Sequence, residues 1–210
     1  MNSHGKNIDI GCQNFTDLGA GLKRAVDQAK KEDPELSVRI SRFPPGELIK
    51  RLDDGLSNVI VTYGRYAPNG NGYQIRKLFN TRTAVLVSRD NPLVKVDSTY
   101  LDFRNEPYII DTFPDERDTA VKQRAKRESV SADIEPSEII MVPNRESAYI
   151  TAMLGSGILL GTEISQIPPG YDIVRYRTDA DESVCCVYRS GAGRAVEEFV
   201  NRLESLYKDQ

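Results

Sequence analysis

Several polar side chains in this 210-residue chain directly follow apolar runs that predict buried strands. Open α/β sheets bind ligands outside the carboxyl ends of their strands, and helix N-termini located there favour anions. These positions therefore predict a site for a small organic acid or a similarly polar metabolite. The residues are Gln13, Asn14, Phe15 and Thr16, then Tyr63 and Arg65, then Asp111, Thr112 and Phe113, then Asn144 and Arg145, with Pro44 and Pro45 supplying shape.

Structural roles compete with ligand contact at some of these positions. Thr16 and Asn144 can each cap the helix that follows. Arg65 can bind a carboxylate through two parallel hydrogen bonds, but a surface loop arginine gives the same pattern. Arg145 is more often a surface residue at such a position. Three aromatic residues among the candidates leave room for an aromatic ligand.

Residues for covalent or metal chemistry are scarce. The chain has one histidine, His4, so it offers almost no residues for histidine-based acid–base catalysis or for zinc binding. Cys185 and Cys186 are adjacent in a predicted strand, so their side chains point to opposite faces, which argues against a shared metal site. Asp115 and Glu116 lie in a predicted loop, where solvated or capping roles are expected. We predict no catalytic residue, no metal site and no cofactor.

Composition narrows the class of protein further. Hydrophobic residues make up 39% and charged residues 28% of the chain, with a net charge of -3, so no general basic excess indicates nucleic-acid binding. Lys122, Arg124, Lys126 and Arg127 form a local basic group, which we interpret as a solvated helix face. No apolar run predicts a membrane span or an export signal. Three cysteines do not make a disulfide framework, and a cytoplasmic location fits best.

The stretch SAYITAMLGSGILLG, residues 147–161, organises the prediction of fold. Its first half favours helix, and Gly155-Ser156-Gly157 ends that helix because glycine readily adopts left-handed backbone. Ile158-Leu159-Leu160 is fully apolar, which is typical of a strand buried on both faces and ended by Gly161-Thr162. A helix, a glycine corner and a buried strand form half of a βαβ unit.

Similar alternation extends along the rest of the chain. Predicted strands are 6–11, 36–42, 58–63, 83–89, 108–110, 139–142, 158–160, 174–177 and 184–189, with helices at 17–32, 45–55, 101–105, 117–128 and 195–207. Residues 12–16 are predicted as a loop, and Thr16 or Asp17 as the cap of the first helix. Strand 36–42 alternates apolar and polar residues, so one of its faces should be exposed to solvent. The order indicates an α/β fold with mainly parallel sheets.

Six pieces in a fixed order carry a resemblance to a known family. They are the first strand–loop–helix, ELIKRLDDGLSNVIV at 47–61, AVLVSRDNPL at 84–93, EPYII at 106–110, AYITAMLGSGILLG at 148–161, and CCVYRSG at 185–191 before an amphipathic helix. In this order the chain resembles the effector-binding domain of LysR-type transcriptional regulators over nearly all its length. It departs at Asn58, Asn91 and Gly161, where Asp, His and Pro are common. At Pro44-Pro45-Gly46 it lacks the Ser or Thr that the family often offers to the ligand.

The resemblance implies an α/β fold like that of type 2 periplasmic solute-binding proteins. Two Rossmann-like lobes would flank a ligand cleft, joined by two crossover strands near Arg89 and Cys186. Lobe I would comprise residues 6–88 plus 187–210, and lobe II residues 89–186. The family's N-terminal DNA-binding helix-turn-helix domain has no counterpart in this sequence. We therefore expect an excised ligand-sensing half or a shortened homologue.

The resemblance also implies a function, that of the ligand-sensing regulatory domain of a bacterial transcription regulator. A small anionic metabolite in the interlobe cleft would modulate the conformation of a DNA-bound oligomer. We expect a homodimer through helix 17–32 and strand 36–42, DNA contact only through the absent domain, and no membrane partner. The alternative is a solute-binding protein of a transport system, which would carry an export signal or a lipid-anchor cysteine. An enzyme on this fold, such as a dehydratase or deaminase relative, would need a catalytic pair.

Overall fold

The computed structural model describes residues 7–208, so His4 and Lys6, the first residue of the predicted strand 6–11, lie outside the described residues. Contacts divide the described chain into two units. Unit 1 comprises residues 7–80 and 183–208, and unit 2 comprises residues 81–182. The predicted lobe boundaries near Arg89 and Cys186 stay a prediction. No helix among residues 7–208 has the length and apolar character needed to span a membrane.

Eight strands and five α-helices of the described chain follow one another in mixed order. They are β1 (Asn7–Gln13), α1 (Gly19–Glu32), β2 (Ser37–Phe43), α2 (Pro45–Asp53), β3 (Val59–Tyr63), β4 (Tyr73–Ser88), β5 (Tyr108–Asp111), α3 (Asp118–Ser131), β6 (Ile139–Val142), α4 (Arg145–Met153), β7 (Leu159–Thr162), β8 (Ile173–Arg189) and α5 (Arg194–Lys208). Short 3-10 turns lie at Gly64–Tyr66 and Tyr100–Phe103. Strands β4 and β8 each begin in one unit and end in the other.

Unit 1 places its strands in the order β2-β1-β3-β8. β1 runs parallel to β2 and to β3, and β3 runs antiparallel to β8. The apolar face of α5 is buried at Val196, Phe199, Val200 and Leu203, as its helical spacing predicts. At the end of α5, the Tyr207 hydroxyl donates to the carbonyl before α1, that of Leu18 (2.5 Å).

Unit 2 is built on β5, which pairs in parallel with β6. A parallel bridge joins Tyr108 of β5 to Ile158 just before β7, and β7 pairs antiparallel with β4. The core gathers residues from β4, β5 and α3 around Phe103 and Ile158, both fully buried. The helix of the SAYITAMLGSGILLG stretch ends as predicted, with Gly155 at φ +78° and Gly157 at φ +155°.

Four strand predictions are wrong in extent. β4 begins at Tyr73, ten residues before its predicted start at residue 83. β1 continues through Cys12 and Gln13, where a loop was predicted, because both residues pair with β2. β7 includes Gly161 and Thr162, since both pair with β4. β8 is one strand of 17 residues rather than two, because its polar middle keeps an extended conformation despite partial exposure. Pairing with remote strands, rather than local apolar character, sets these limits.

Other expectations need correction as well. The six-stranded sheet is mixed rather than mainly parallel, since β3 pairs antiparallel with β8 and β4 with β7, whereas the β5–β6 sheet is parallel as expected. Strand β2 is exposed on both faces rather than one, since only Val38 and Phe43, which lie on opposite faces, are even partly buried. Leu18, not Thr16 or Asp17, occupies the N-cap of α1, although the Asp17 carboxylate accepts from the Gly19 N–H (2.8 Å).

Candidate functional site

The candidate residues of unit 1 lie at one edge of its sheet. Strands β2, β1 and β3 run in the same direction, so their carboxyl ends meet at that edge. Gln13 ends β1, Tyr63 ends β3, and Pro44 follows the last residue of β2. The sheet therefore brings together three segments that are far apart in the sequence.

Gln13 and Thr16 connect the segment at the end of β1 to the end of β3. The Gln13 side-chain oxygen accepts from the Thr62 hydroxyl (2.9 Å) and from the Tyr63 N–H (3.3 Å). The Thr16 hydroxyl lies 3.4 Å from the Tyr63 hydroxyl and 3.3 Å from the carbonyl of Asn14. Gln13, Thr16 and Tyr63 are buried, so these contacts fix the edge before any ligand arrives.

Arg65 lies beside two tyrosine rings. Its guanidinium carbon is 5.2 Å from the centre of the Tyr63 ring and 5.1 Å from that of the Tyr66 ring. Cation–π contact at this distance restricts the guanidinium without removing its positive charge. The tyrosines therefore hold a cation at the carboxyl edge of the unit 1 sheet.

The loop between β1 and α1 adopts an unusual backbone. Phe15 has φ +52°, a left-handed conformation that is uncommon for a bulky residue. The Asn14 N–H donates to the Phe43 carbonyl (3.0 Å), and Arg42 donates to the Thr16 carbonyl (2.7 Å). These two contacts from β2 hold the backbone on either side of Phe15.

The remaining candidates of unit 1 are the two prolines. Pro44 is the N-cap of α2, and its carbonyl accepts from Glu47 N–H (3.1 Å) and Leu48 N–H (3.2 Å). Pro45 is buried at the first helical position, where its fixed φ suits helix entry. Both prolines therefore have a structural role in starting α2.

Unit 2 places an ion pair at the carboxyl end of β5. Arg145, the first residue of α4, donates to the Asp111 carboxylate (3.3 Å) and to the Leu160 carbonyl (2.8 Å). Its guanidinium carbon also lies 5.2 Å from the Tyr149 ring centre. Both charged side chains are mostly buried. Arg145 is thus an anchored residue, contrary to the surface position that such arginines more often occupy.

Other candidates of unit 2 follow the same strand ends. The Thr112 N–H donates to the Val142 carbonyl (2.8 Å), which extends the β5–β6 pairing into the loop. Phe113 is half-buried, and its N–H donates to Glu116 (3.1 Å). Asn144 caps α4 as predicted, because its side chain accepts from the Ser147 N–H (2.8 Å).

Four residues near these clusters were missed by the sequence reasoning. They are Arg42, Thr62, Arg124 and Glu116. Arg124 is predicted on a solvated helix face, and Glu116 in a solvated or capping role. That interpretation holds for Lys122, Lys126 and Arg127, which are exposed, and is wrong for Arg124, which is 5% exposed. The sequence signal for this ion pair was the position of Glu116 two residues before α3 begins and of Arg124 eight residues later within that helix.

Thiol and metal chemistry gain no support from the geometry. Burial raises the pKa of the Cys12 thiol to about 12, although nearby Arg42 lowers it, so the reactive thiolate is scarce at neutral pH. Burial also raises the pKa of Cys186. Within residues 7–208, no group of three or more His, Cys, Asp and Glu side chains is placed to hold a metal ion.

Solved structures share the fold of this chain. The BenM effector-binding domain with its effector benzoate has a TM-score of 0.71 at 17% identity, covering 97% of this chain and 92% of that one. The effector-binding domain of QuiR in complex with shikimate has a TM-score of 0.74 at 17% identity, covering 97% and 98%. Full-length CbnR complexed with its target DNA has a TM-score of 0.71 at 16% identity, covering 97% and 71%.

Sequence comparison places the chain in a family. No curated protein matches it in sequence. The profile of the LysR substrate binding domain matches residues 19–207, nearly the whole chain. Together with the shared fold, this match confirms the α/β fold class and the resemblance found in the sequence. The chain belongs to the LysR substrate binding domain family.

Proposed function

We propose that this chain senses a small carboxylic acid, or a similarly polar anion, on behalf of a LysR-type transcription regulator. We infer the ligand class from Arg65, whose guanidinium is held between the rings of Tyr63 and Tyr66 at the carboxyl edge of parallel strands. An arginine fork binds a carboxylate through two parallel hydrogen bonds. Family membership supports a regulatory domain over a transport protein. No catalytic step is part of this proposal.

The charges of the two units favour unit 1 as the part that recognises the acid group. In unit 2, Arg145 is paired with Asp111, and Arg124 with Glu116 and Glu128. These groups sum to a negative charge, so they offer no net attraction to an anion. Unit 1 brings the guanidinium groups of Arg42 and Arg65 to its sheet edge, and their positive charge attracts an anion there. We propose separately that the hydroxyl of Thr112 and the ring of Phe113, at the carboxyl end of β5, contact a ligand.

A binding screen tests the ligand class. Benzoate and shikimate, found with structural relatives, are carboxylates and serve as first probes, with benzamide as a neutral match for benzoate. An acid at 100 times its Kd stabilises the protein by about 2.7 kcal/mol, which raises Tm by roughly 5–10 °C for a chain of this size. Benzamide should leave Tm unchanged.

Substitution of Arg65 tests the assigned residue. Loss of a charge-assisted pair costs about 1.5–3 kcal/mol, so Arg65→Ala should weaken acid binding by roughly 10–100-fold in calorimetry. Arg194→Ala is the matched control, because Arg194 is an exposed arginine on α5 that pairs with Glu198 one turn further along the helix. Equal acid affinity in both variants would exclude Arg65 as the anion-binding residue.

We also propose that the chain forms a homodimer through α1 and β2. Strand β2 is the last strand of its sheet, and Ile40 on it is 46% exposed. An exposed edge with an apolar side chain is suited to association. Sedimentation velocity should show a dimer that Ile40→Glu dissociates. A wild-type chain that sediments as a monomer at high micromolar concentration would refute this interface.

A further inference from the structure

A buried arginine in unit 2 holds the loop that carries Thr112 and Phe113. Arg124 lies on α3 and is 5% exposed. Its guanidinium donates to both oxygens of the Glu116 carboxylate, at 3.0 and 2.9 Å, and to the carbonyl of Asp111. The Phe113 ring lies against the same guanidinium, with 4.1 Å from its carbon to the ring centre. One side chain therefore contacts the loop at its beginning, middle and end.

The loop is also closed upon itself around a strained residue. The Phe113 N–H donates to the Glu116 carboxylate (3.1 Å), and the Glu116 N–H donates to the Phe113 carbonyl (3.1 Å). Between them, Asp115 has φ +63°, a left-handed conformation that persists only where surrounding contacts maintain it. The bidentate Glu116–Arg124 pair supplies such contacts.

A second carboxylate fixes Arg124 from the other side. Glu128, one turn further along α3, lies 3.6 Å from the Arg124 guanidinium. The hydroxyl of Tyr108, on β5, donates to Glu128 (2.6 Å). All three side chains are buried. Arg124 is thus tied to β5, the strand from which the loop departs, as well as to the loop itself.

We infer that Arg124 is a positioning residue for ligand binding, which sets the conformation of loop 111–116 and so the presentation of Thr112 and Phe113. This inference rests on the proposed function, because it assigns those two residues to the ligand. Arg124 itself is too buried to be a main ligand contact, and its bonds are made to the loop. A lysine keeps the charge but cannot form the bidentate fork.

Amide hydrogen exchange tests the positioning role without any ligand. Arg124→Lys should speed exchange at the amides of Thr112, Phe113, Asp115 and Glu116 at least tenfold while the amides of β5 and β6 remain protected. Lys122→Gln, an exposed change on the same helix, is the control and should leave the loop as in wild type. Loop exchange in Arg124→Lys equal to that in Lys122→Gln would overturn the inference. A uniform increase in exchange across residues 81–182 would also overturn it, since that result indicates a general loss of stability.

A double substitution identifies the contact responsible. If Arg124 acts through Glu116, loop exchange in the Arg124→Lys, Glu116→Gln double variant should match the faster single variant rather than the product of both effects. Independent, multiplicative effects would show that the two residues hold the loop separately, contrary to the inference.

Binding of benzoate and shikimate separates this inference from the proposed function. If either acid binds the wild type, Arg124→Lys should weaken it at least tenfold while Lys122→Gln does not. Binding that Arg65→Ala weakens and Arg124→Lys leaves unchanged would keep the proposed function and refute the positioning role. If no carboxylic acid of the screen binds the wild type, the proposed function fails, and hydrogen exchange alone decides whether Arg124 sets the loop.

Discussion

Alanine at Gly157 should be far more damaging than alanine at Gly155, only two residues away. Both glycines have positive φ, +155° at Gly157 and +78° at Gly155. A Cβ at Gly155 would meet nothing within 4 Å, whereas a Cβ at Gly157 would lie 2.3 Å from the Pro107 carbonyl oxygen. The contact is with backbone, which cannot rotate away as a flexible side chain can.

The size of the effect follows from the bonds at this corner. The Pro107 carbonyl accepts from the Ile158 N–H (2.8 Å), and the Ile109 N–H donates to the Ile158 carbonyl (2.8 Å). Moving the carbonyl away from the new Cβ disturbs both bonds, at about 1 kcal/mol each, and φ +155° adds roughly 1–3 kcal/mol of backbone strain. We expect Gly157→Ala to lower the free energy of unfolding by about 4 kcal/mol. Gly155→Ala carries only the left-handed cost of about 1 kcal/mol.

Urea unfolding followed by circular dichroism measures the difference. With an m-value of about 2 kcal/mol/M, the midpoint should fall by about 2 M for Gly157→Ala and about 0.5 M for Gly155→Ala. Both substitutions reduce the entropy of the unfolded chain equally, so this contribution cancels in the comparison. Equal midpoints for the two variants would refute the argument that the Pro107 carbonyl excludes a side chain at Gly157.

Two further predictions concern contacts at helix ends. Burial raises the pKa of Tyr207 to about 12 from 10.0, so its hydroxyl stabilises the fold fully below pH 10, and that contribution is lost as pH rises through 12. Tyr207→Phe, which lacks the bond to Leu18, should be less stable at pH 7 and show a smaller loss between pH 10 and 12 in urea titrations; an unchanged alkaline loss would contradict this. Asn144→Ala should cost about 1 kcal/mol by removing the cap of Ser147 N–H, while Asn144→Asp should be nearly neutral, and equal losses in thermal unfolding would exclude capping as the cause.

The candidate site divides into a part that the sequence could indicate and a part that it could not. Apolar runs located the ends of β1, β3 and β5 to within two residues, and Gln13, Tyr63 and Asp111 lie at these carboxyl ends. The hydrogen-bond partners of these residues could not be predicted from the sequence. Gln13 bonds to residues 49 and 50 positions away, and such distances leave no local pattern. Ligand contact at the candidate residues stays a prediction.

Strand limits depend on pairing that local patterning does not encode. The polar residues in the middle of β8 interrupt its apolar pattern, yet the strand continues. Cys12 and Gln13 extend β1 because β2 offers matching backbone groups along its full length. Every residue type offers a backbone hydrogen-bond acceptor, and every type except proline also offers a donor, so side-chain character alone underestimates strand length.

The sequence alone determined the helices, the glycine corner after α4, the α/β class and the family. These depend on periodicity within a few residues, on the left-handed freedom of glycine, and on an ordered series of motifs. Only the tertiary structure decided that Arg124 is buried and bonded to Glu116, and that Arg145 is bonded to Asp111 and Leu160. An arginine looks the same in sequence whether it meets water or a carboxylate, because burial and pairing are set by residues that the fold brings to it.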